Sequence, residues 1–483
     1  MKLVFRVDSS QRIGLGHLSR CLTLAKAWPG QVQFICRALP GAASTWLADW
    51  PVTWLEASNE DDGSWLTVSP QQDAAETLSA LDSDAALLLV DHYQLDAAWE
   101  RQVLKSRPAL KLAVIDDLPG RAHLADLLID SGPGRTQADY PLPVWNCALT
   151  GPDFAPLRPE FYPSKVQHAP SNKLLLSLGG MDSENDNSRL LTWLAKLQPT
   201  LGFEVTLAIS SKAPHLRDLT ARAKQLPWLT LAIDCNTMGE QMRLARLAIG
   251  APGTSAWERC ACALPSLQLV LASNQQHNAQ SLAAAGAAIT LPRFDENMFV
   301  QTLTRVWQDK ALCQQMSLRA QALCDGKGAE RIIRALESLS STIVTLRAMT
   351  TEHCEALFAW QNEPGARTYS RNPETPDWAD HQRWFASALA NDNCLLWAIE
   401  LNGEALGMLR LDKQHEGQGE VSILLSQQAR GKGLGLQALI QLQRMQVVGR
   451  LTAEIHPDNR ASQSLFAKAG FGQTGPRQYE VVL

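Results

Sequence analysis

Over the first two thirds of the chain, short apolar runs alternate with stretches whose apolar residues recur every three to four positions. The runs are Leu3 to Val7, Val32 to Cys36, Ala85 to Val90, Lys111 to Ile115 and Leu127 to Ile129. Uninterrupted apolar runs separated by helical patterns predict strands buried on both faces, and so a parallel sheet. Behind the first run, Leu18, Cys21, Leu22 and Ala25 return at helical spacing. Gly14-Leu15-Gly16 is therefore predicted as the turn between a first strand and a first helix.

A second α/β unit begins after Pro152, Pro156, Pro159 and Pro163, whose clustering reads as a linker. Its predicted strands are Lys173 to Leu178, Phe203 to Ile209, Leu247 to Gly250 and Leu264 to Leu271. A helical stretch from Glu296 to Ser340 is expected to close this second unit. From Thr342 the pattern changes. Thr342 to Leu346, Cys394 to Leu401, Glu404 to Leu411, Glu420 to Leu425 and Leu451 to His456 read as strands, and Asn402-Gly403 between two of them is a hairpin signal. Helices are expected near 352–361 and 380–389, after Gly435, and from Asn459 to a cap at Gly470. The expected architecture is α/β, with Rossmann-like domains over 1–160 and 161–340 and an α+β domain over 341–483.

Composition adds exclusions more than chemistry. A hydrophobic share of 45% and a charged share of 19% belong to an ordinary globular chain, and a net charge of −5 gives no reason to expect a nucleic-acid partner. The ten cysteines include no C-x-x-C pair, and Cys260-Ala261-Cys262 is too close for a usual zinc spacing. Reduced thiols and a cytoplasmic setting are expected. No signal-peptide layout precedes Asp8 and no apolar run reaches bilayer length, so no membrane partner is expected.

In parallel sheets the ligand crevice lies at the carboxyl ends of the strands. That puts Gly14, Gly16 and His17 on the same side as Asp91, Tyr93, Asp116 and Asp117. Two glycines let the backbone approach a ligand, and the helix start suits a phosphate. A tight turn with a capping histidine is the alternative for His17, and turn capping is the alternative for each aspartate. Asp82-Ser83-Asp84 has D-x-D spacing but precedes its strand and reads as a loop. In the second unit Gly253-Thr254-Ser255 opens a helix, with Glu258 about one turn in. Amides and hydroxyls at such a turn suit a phosphate, and the carboxylate suits a ribose diol; a plain N-capped helix is the other reading. A phosphate-type turn in each of two parallel-sheet units describes a nucleotide-sugar fold with its ligand between them. In the third unit, Gly431, Gly433 and Gly435 expose amides to a pyrophosphate at another helix start.

The stretch Arg6 to Leu24, with Gly14, Gly16, His17, Arg20 and Cys21, resembles the opening signature of the UDP-sugar hydrolases of pseudaminic-acid biosynthesis. These act on UDP-2,4-diacetamido-2,4,6-trideoxy-β-L-altropyranose. Asp91-His92-Tyr93, Ser177 to Asp182, Gly253 to Glu258 and Gln276 to Asn278 continue the likeness, which covers about residues 1–335. The family is related to glycosyltransferases of the GT-B architecture. The resemblance implies two Rossmann-like domains in GT-B arrangement, a catalytic His17, inversion with C–O cleavage at the anomeric carbon, and no metal. It further implies substrate contacts at Gly14, Gly16, Arg20, Tyr93, Gly180, Thr254, Ser255 and Asn278, with Glu258 on the uridine ribose.

The glycine loop, Asn459 and the ending Lys468-Ala469-Gly470-Phe471 resemble the GCN5-related N-acetyltransferases (GNAT fold) over about 342–483. Phe358 to Asn362 and His381 to Phe385 resemble the subgroup acting on sugar-nucleotide amines and protein N-termini. This implies acetyl-CoA as cosubstrate, held by Arg430, Gly431, Gly433, Gly435 and Asn459. Phe466 stands where many members carry the Tyr that protonates the leaving thiolate. Glu420 is the candidate base, acting through water, although an exposed glutamate on a strand is also an ordinary surface choice. Tyr479 is a further donor candidate. The two resemblances together imply N4-acetylation of a UDP-4-amino sugar followed by hydrolysis of the product to free sugar and UDP. The alternative is a GT-B glycosyltransferase that passes the sugar to an acceptor and carries a non-catalytic acyl-CoA-binding domain.

Overall fold

The computed structural model describes residues 1–58, 64–141, 143, 147–162, 171–340 and 343–483, and these form three sheets. The first holds seven strands: β1 (Lys2–Val7), β2 (Gln31–Arg37), β3 (Val52–Leu55), β4 (Leu87–Asp91), β5 (Lys111–Ile115), β6 (Leu127–Asp130) and β7 (Cys147–Thr150). Their order is β3-β2-β1-β4-β5-β6-β7, and every neighbouring pair is parallel. Helix α1 (Gly16–Ala27) packs on the face carrying Leu3, Phe5 and Val7. Helices α2 (Pro70–Ala80) and α3 (Ala97–Ser106) pack on the face carrying Val4 and Leu88. The chain runs outward from β1 to β3 and then returns to β4 on the other side of β1. Such a reversal is where an open α/β sheet holds its ligand.

Beneath the turn after β1, Arg6 and Arg37 are wholly buried. Asp8 accepts 2.6 Å hydrogen bonds from Arg6 Nη1 and from the Arg37 amide. Asp73 on α2 takes both guanidinium groups and the Trp99 indole N–H. Burial pushes the Asp73 carboxyl up, but Arg6 and Arg37 outweigh it and hold it at about 2.

The second sheet is also parallel, in the order β10-β9-β8-β11-β12-β13. It contains β8 (Lys173–Ser177), β9 (Glu204–Ile209), β10 (Leu229–Ile233), β11 (Leu247–Gly250), β12 (Ser266–Leu269) and β13 (Ala288–Leu291). Its helices are α4 (Asp186–Leu201), α5 (Leu216–Ala223), α6 (Met238–Leu244), α7 (Ser255–Ala261), α8 (Gln276–Ala284), α9 (Glu296–Gln308) and α10 (Lys310–Leu323). The same reversal recurs, here between β8 and β11.

In these two sheets the strands that the sequence pattern does not reveal, β3, β7, β10 and β13, are the edge strands. They are short and carry half-exposed positions, so no continuous apolar run marks them. The proline-rich crossing is also more than a linker. Ala155, Leu157 and Phe161 are buried in the second unit's core, in a segment built from short 3-10 turns. Pro163 and Thr342 lie outside the described residues. The last helix of the expected closing stretch, α11 (Gly328–Ser340), does not close the second unit. Its stripe of Ala329, Ile332, Ile333 and Leu336 has helical spacing and buries against the first sheet, beside α1.

The third sheet runs β14-β15-β16-β17-β18-β20-β19. Its strands are β14 (Val344–Ala348), β15 (Cys394–Leu401), β16 (Glu404–Lys413), β17 (Gln418–Leu425), β18 (Arg450–Glu454), β19 (Gly472–Gln473) and β20 (Gln478–Val482). All pairs are antiparallel except β17 with β18. Asn402 and Gly403 both take positive φ, as the two-residue hairpin requires. The helices are α12 (Cys354–Gln361), α13 (Trp378–Leu389), α14 (Leu434–Met445) and α15 (Arg460–Lys468).

Helix α14 docks on the first unit. Arg444 Nη2 lies 2.9 Å from Asp126, Nη1 donates to the Leu110 carbonyl at 3.2 Å, and both charged side chains are nearly inaccessible. A cavity of about 380 Å³ lies beside this contact, between Leu104 and Leu124 on one side and Val481 and Leu483 on the other. No described helix is long and apolar enough to cross a membrane.

Candidate active sites

The turn after β1 is shaped by Ser10 and Gly14. The Gly14 amide donates to the Ser10 carbonyl at 2.9 Å, and the Ser10 hydroxyl accepts from the Arg12 and Ile13 amides. Gly14 has φ +78, a left-handed conformation that favours glycine, and open space surrounds both Gly14 and Gly16. Helix α1 starts with no side-chain cap and no acidic residue in its first turn, so its first amides remain available.

His17, in that first turn, sits across the β1–β4 reversal from Asp91. Its Nδ1 lies 2.6 Å from Asp91 Oδ1. Arg20 grips the same carboxylate, with Nε and Nη2 each at 2.6 Å from one of its oxygens. Burial pushes the Asp91 carboxyl up, but Arg20 and His17 overcome it and hold Asp91 well below the usual range. A carboxylate only accepts, so in the neutral imidazole the proton sits on Nδ1 and the lone pair on Nε2. The imidazole is walled by the Tyr93 ring at 4.7 Å and the Trp65 ring at 5.7 Å, both edge-on. Tyr93 donates its hydroxyl to Asp117, which also takes Arg20 Nη1 at 3.3 Å. Burial and the Asp117 charge both push the phenol up. All three guanidinium nitrogens of Arg20 are thus engaged by carboxylates of the site itself.

The aspartates at the strand ends divide by role. Asp91 and Asp117 face His17, Arg20 and Tyr93. Asp116 instead caps the Leu118 amide and pairs with Arg121 and His123. Asp130 holds the Gly132 amide and the Tyr140 hydroxyl. Trp65 is the one wall residue that sequence reasoning passed over. It lies outside every strand and helix, and only the folded chain carries it to the imidazole.

In the second unit the turn after β8 places Gly179 at φ +107, and the Gly180 carbonyl accepts from the Ser210 amide at 3.0 Å. After β11, Thr254 is exposed and the Ser255 hydroxyl accepts from Arg259 Nη1 at 3.2 Å. Asn278 on α8 donates to the Pro252 carbonyl at 3.2 Å, which ties α8 to this turn. The neighbouring His277 lies 2.7 Å from the Pro133 carbonyl of the first unit, so the two halves touch there. Burial pushes the Glu258 carboxyl up to about 7, with Arg158 and Arg259 pulling it down and Glu160 adding to the rise. Among the described residues no three His, Cys, Asp or Glu side chains gather as a metal site.

In the third unit β17 and β18 pair only from Gln418/Arg450 to Glu420/Thr452 and part beyond that point. Gly431 and Gly433 take φ +76 and +78, and Gly433 precedes α14, whose start has no side-chain cap. The Cα of Gly435 faces Leu465, Leu425 and Ile423, where a side chain would crowd the core. Arg430 reaches back to the Leu425 carbonyl and to Glu363, which also accepts from the Gln427 amide at 2.7 Å. Asn459 spends its side-chain oxygen on the Ser462 amide as the cap of α15. Glu420, at the parting of the strands, is paired with Arg371, which also binds Glu454 at 2.8 Å. Phe466 is buried edge-on against Phe471, and Tyr479 lies in the same core.

Comparison with known proteins relates the chain to two lineages. Residues 344–472 match the family described as "Acetyltransferase (GNAT) domain". The chain is 26% identical over 289 residues to a UDP-2,4-diacetamido-2,4,6-trideoxy-beta-L-altropyranose hydrolase of Campylobacter jejuni, a match covering 59% of this chain and 97% of that protein. It is 34% identical over 128 residues to an L-methionine sulfoximine/L-methionine sulfone acetyltransferase of Pseudomonas aeruginosa, covering 25% of this chain and 74% of the relative. Among solved structures, MurG of Acinetobacter baumannii superimposes with a TM-score of 0.53 at 13% identity, covering 70% of this chain and all of MurG. That likeness shows the fold, two Rossmann-like units in GT-B arrangement. The chain is therefore a fusion, in which a GT-B-like unit related to the Campylobacter hydrolase is joined to a domain that belongs to the GNAT acetyltransferase family.

Proposed function

We propose that the GT-B-like unit hydrolyses UDP-2,4-diacetamido-2,4,6-trideoxy-β-L-altropyranose to the free sugar and UDP, with inversion. The observation that carries this reading is the His17–Asp91 pair at the β1–β4 reversal, an arrangement that in the neutral imidazole leaves the lone pair on Nε2. In the proposed step Nε2 takes a proton from water as the water oxygen bonds to the anomeric carbon. The bond from that carbon to the diphosphate oxygen breaks, and UDP leaves with the electron pair. Amides at Gly14 to Gly16 and the turn Gly253 to Ser255 meet the charge on the leaving diphosphate. Glu258 accepts from the uridine ribose, Tyr93 and Gly180 border the sugar, and Asn278 holds the second turn in place. Arg20, fully engaged by Asp91 and Asp117, acts as a positioning residue.

The GNAT domain is proposed to transfer acetyl from acetyl-CoA to the 4-amino group of the precursor UDP-sugar. The left-handed Gly431 and Gly433 and the amides through Gly435 would cradle the pyrophosphate, with Arg430 and Asn459 shaping the two ends of the cleft. The amine nitrogen bonds to the thioester carbon, the C–S bond breaks, and the thiolate is reprotonated. Glu420, once Arg371 releases it, takes the amine proton through water. Phe466 has no proton to give and is buried, so water supplies the thiolate's proton.

Mass spectrometry of the purified chain with UDP-4-amino sugar and acetyl-CoA tests both halves. We expect acetylated UDP-sugar to appear and then decay to free sugar and UDP without any acceptor. His17→Phe should accumulate the acetylated UDP-sugar and release no UDP. Wild-type protein that releases UDP only when an acceptor sugar is added would instead make the unit a transferase.

A further inference from the structure

We propose that Arg259 is the buried counter-charge of the substrate's diphosphate, a cation installed under the second phosphate turn for which the fold itself supplies no anion. The inference rests on the UDP-binding role proposed above.

Four large side chains show why Arg259 is unusual. Arg6, Arg20 and Arg37 are buried, and each is gripped by carboxylates. Arg259 is just as deeply buried, at 1% exposure, yet among the described residues it forms no ion pair. Its Nη2 donates to the Ala251 carbonyl at 2.8 Å and its Nη1 to the Ser255 hydroxyl at 3.2 Å, while its Nε has no partner. The guanidinium therefore spans the underside of the turn 251–255. Room has been made for it: a Cβ on Gly250 would lie 2.7 Å from Nη1.

Two hydrogen bonds to neutral oxygens could be made by a neutral side chain, which would spare the fold a buried charge. Burying a cation without an anion is strongly unfavourable, and burial does pull this guanidinium below its usual range. The adjacent Glu258 compensates poorly, because burial holds it at about 7 and leaves it half-protonated near neutral pH. Helix α7 has only seven residues and adds little charge of its own. A diphosphate on the outer side of the turn, against the exposed Thr254, completes the pair. The cation then acts through the turn without touching the substrate, as a positioning residue with an electrostatic effect.

The test is calorimetric titration of the full-length chain with UDP and, separately, with uridine, at about pH 9, where Glu258 is ionised and loss of the Arg259 charge does not protonate it. Arg259→Gln keeps hydrogen-bonding capacity and removes the charge. We expect its affinity for UDP to fall about tenfold or more, equal to ~1.4 kcal/mol, with uridine binding held within about twofold. Arg259→Lys keeps the charge and should keep most of the preference for UDP over uridine. Equal weakening of both ligands in Arg259→Gln would make the residue a shaping element only, and unchanged binding of both would remove any role; either result overturns the proposal. If Arg259→Gln does not fold, the lysine variant decides, since loss of its preference for UDP overturns the proposal equally. A wild-type chain that binds no UDP defeats the nucleotide reading itself, a result distinct from an altered ratio in the variants.

Discussion

At the scale of single residues, the first site works through hydrogen-bond polarity. Asp91 is held ionised by Arg20, so it orients the imidazole with the proton on Nδ1. Asp91→Asn can present an N–H to Nδ1 and favour the other tautomer, which has no lone pair on Nε2. UDP release should then fall by about 10²–10⁴-fold, the usual worth of a general base, while UDP affinity changes little; steady-state rates alongside calorimetry check it. His17 was legible in the sequence because glycines on either side mark a strand–turn–helix. The strand pattern puts Asp91 on the His17 side but taken singly favours capping, and only the 2.6 Å contact separates it from Asp116, whose oxygens are spent locally. Glu258 gives a pH signature. Its ordinary value of 4.5 is raised by burial to about 7, so its charged form is lost as pH falls through neutrality. In the proposed role, the carboxylate is the form that accepts two ribose hydroxyls. Uridine should therefore bind about tenfold more weakly at pH 6 than at pH 8, and Glu258→Gln should bind weakly at both, as titrations across this range would show.

At the scale of elements, a glycine in left-handed conformation marks the proposed phosphate turn of the first unit and that of the third, whereas Gly253 in the second does not take positive φ. Gly14 and Gly433 both have φ +78. Gly433→Ala imposes about 1–2 kcal/mol of backbone strain at the start of α14. The KM for acetyl-CoA should rise roughly five- to thirtyfold while UDP release from the diacetamido sugar is untouched, which separate assays of the two reactions can resolve. The central strands were readable because they are apolar on both faces. The edge strands β3, β7, β10 and β13 were not, because a half-exposed strand of four or five residues leaves no distinct period. The Gly435 position shows a related ambiguity: a glycine in a phosphate-type run can also serve packing, as its closeness to Leu465 shows.

At the scale of the whole molecule, two contacts decide how the parts are joined. Helix α11 returns to the first sheet, so the two halves of the GT-B-like unit are linked both by the packed crossing at 152–161 and by this helix. The GNAT domain is then fixed by Arg444, whose buried pairing with Asp126 holds α14 on the first unit. Arg444→Met leaves Asp126 with the Leu112 amide at 2.9 Å and, as its nearest described cation, Lys111 at 3.9 Å. Removing one partner of a buried pair costs about 3–5 kcal/mol, which should release the domain. Small-angle scattering should show an expanded particle, with each reaction proceeding at near wild-type rate when assayed singly.

The sequence by itself determined the three-part order, the strand–turn–helix units and the glycines and histidine at their turns, because these depend on local period and on conformations that few residues adopt. Tertiary structure alone decided which carboxylate orients His17, that Trp65 walls it, that α11 crosses back and that Arg259 forms no ion pair among the described residues. Those are facts of distance between residues far apart in the chain, and the pattern along a chain carries no record of which distant charges meet or fail to meet.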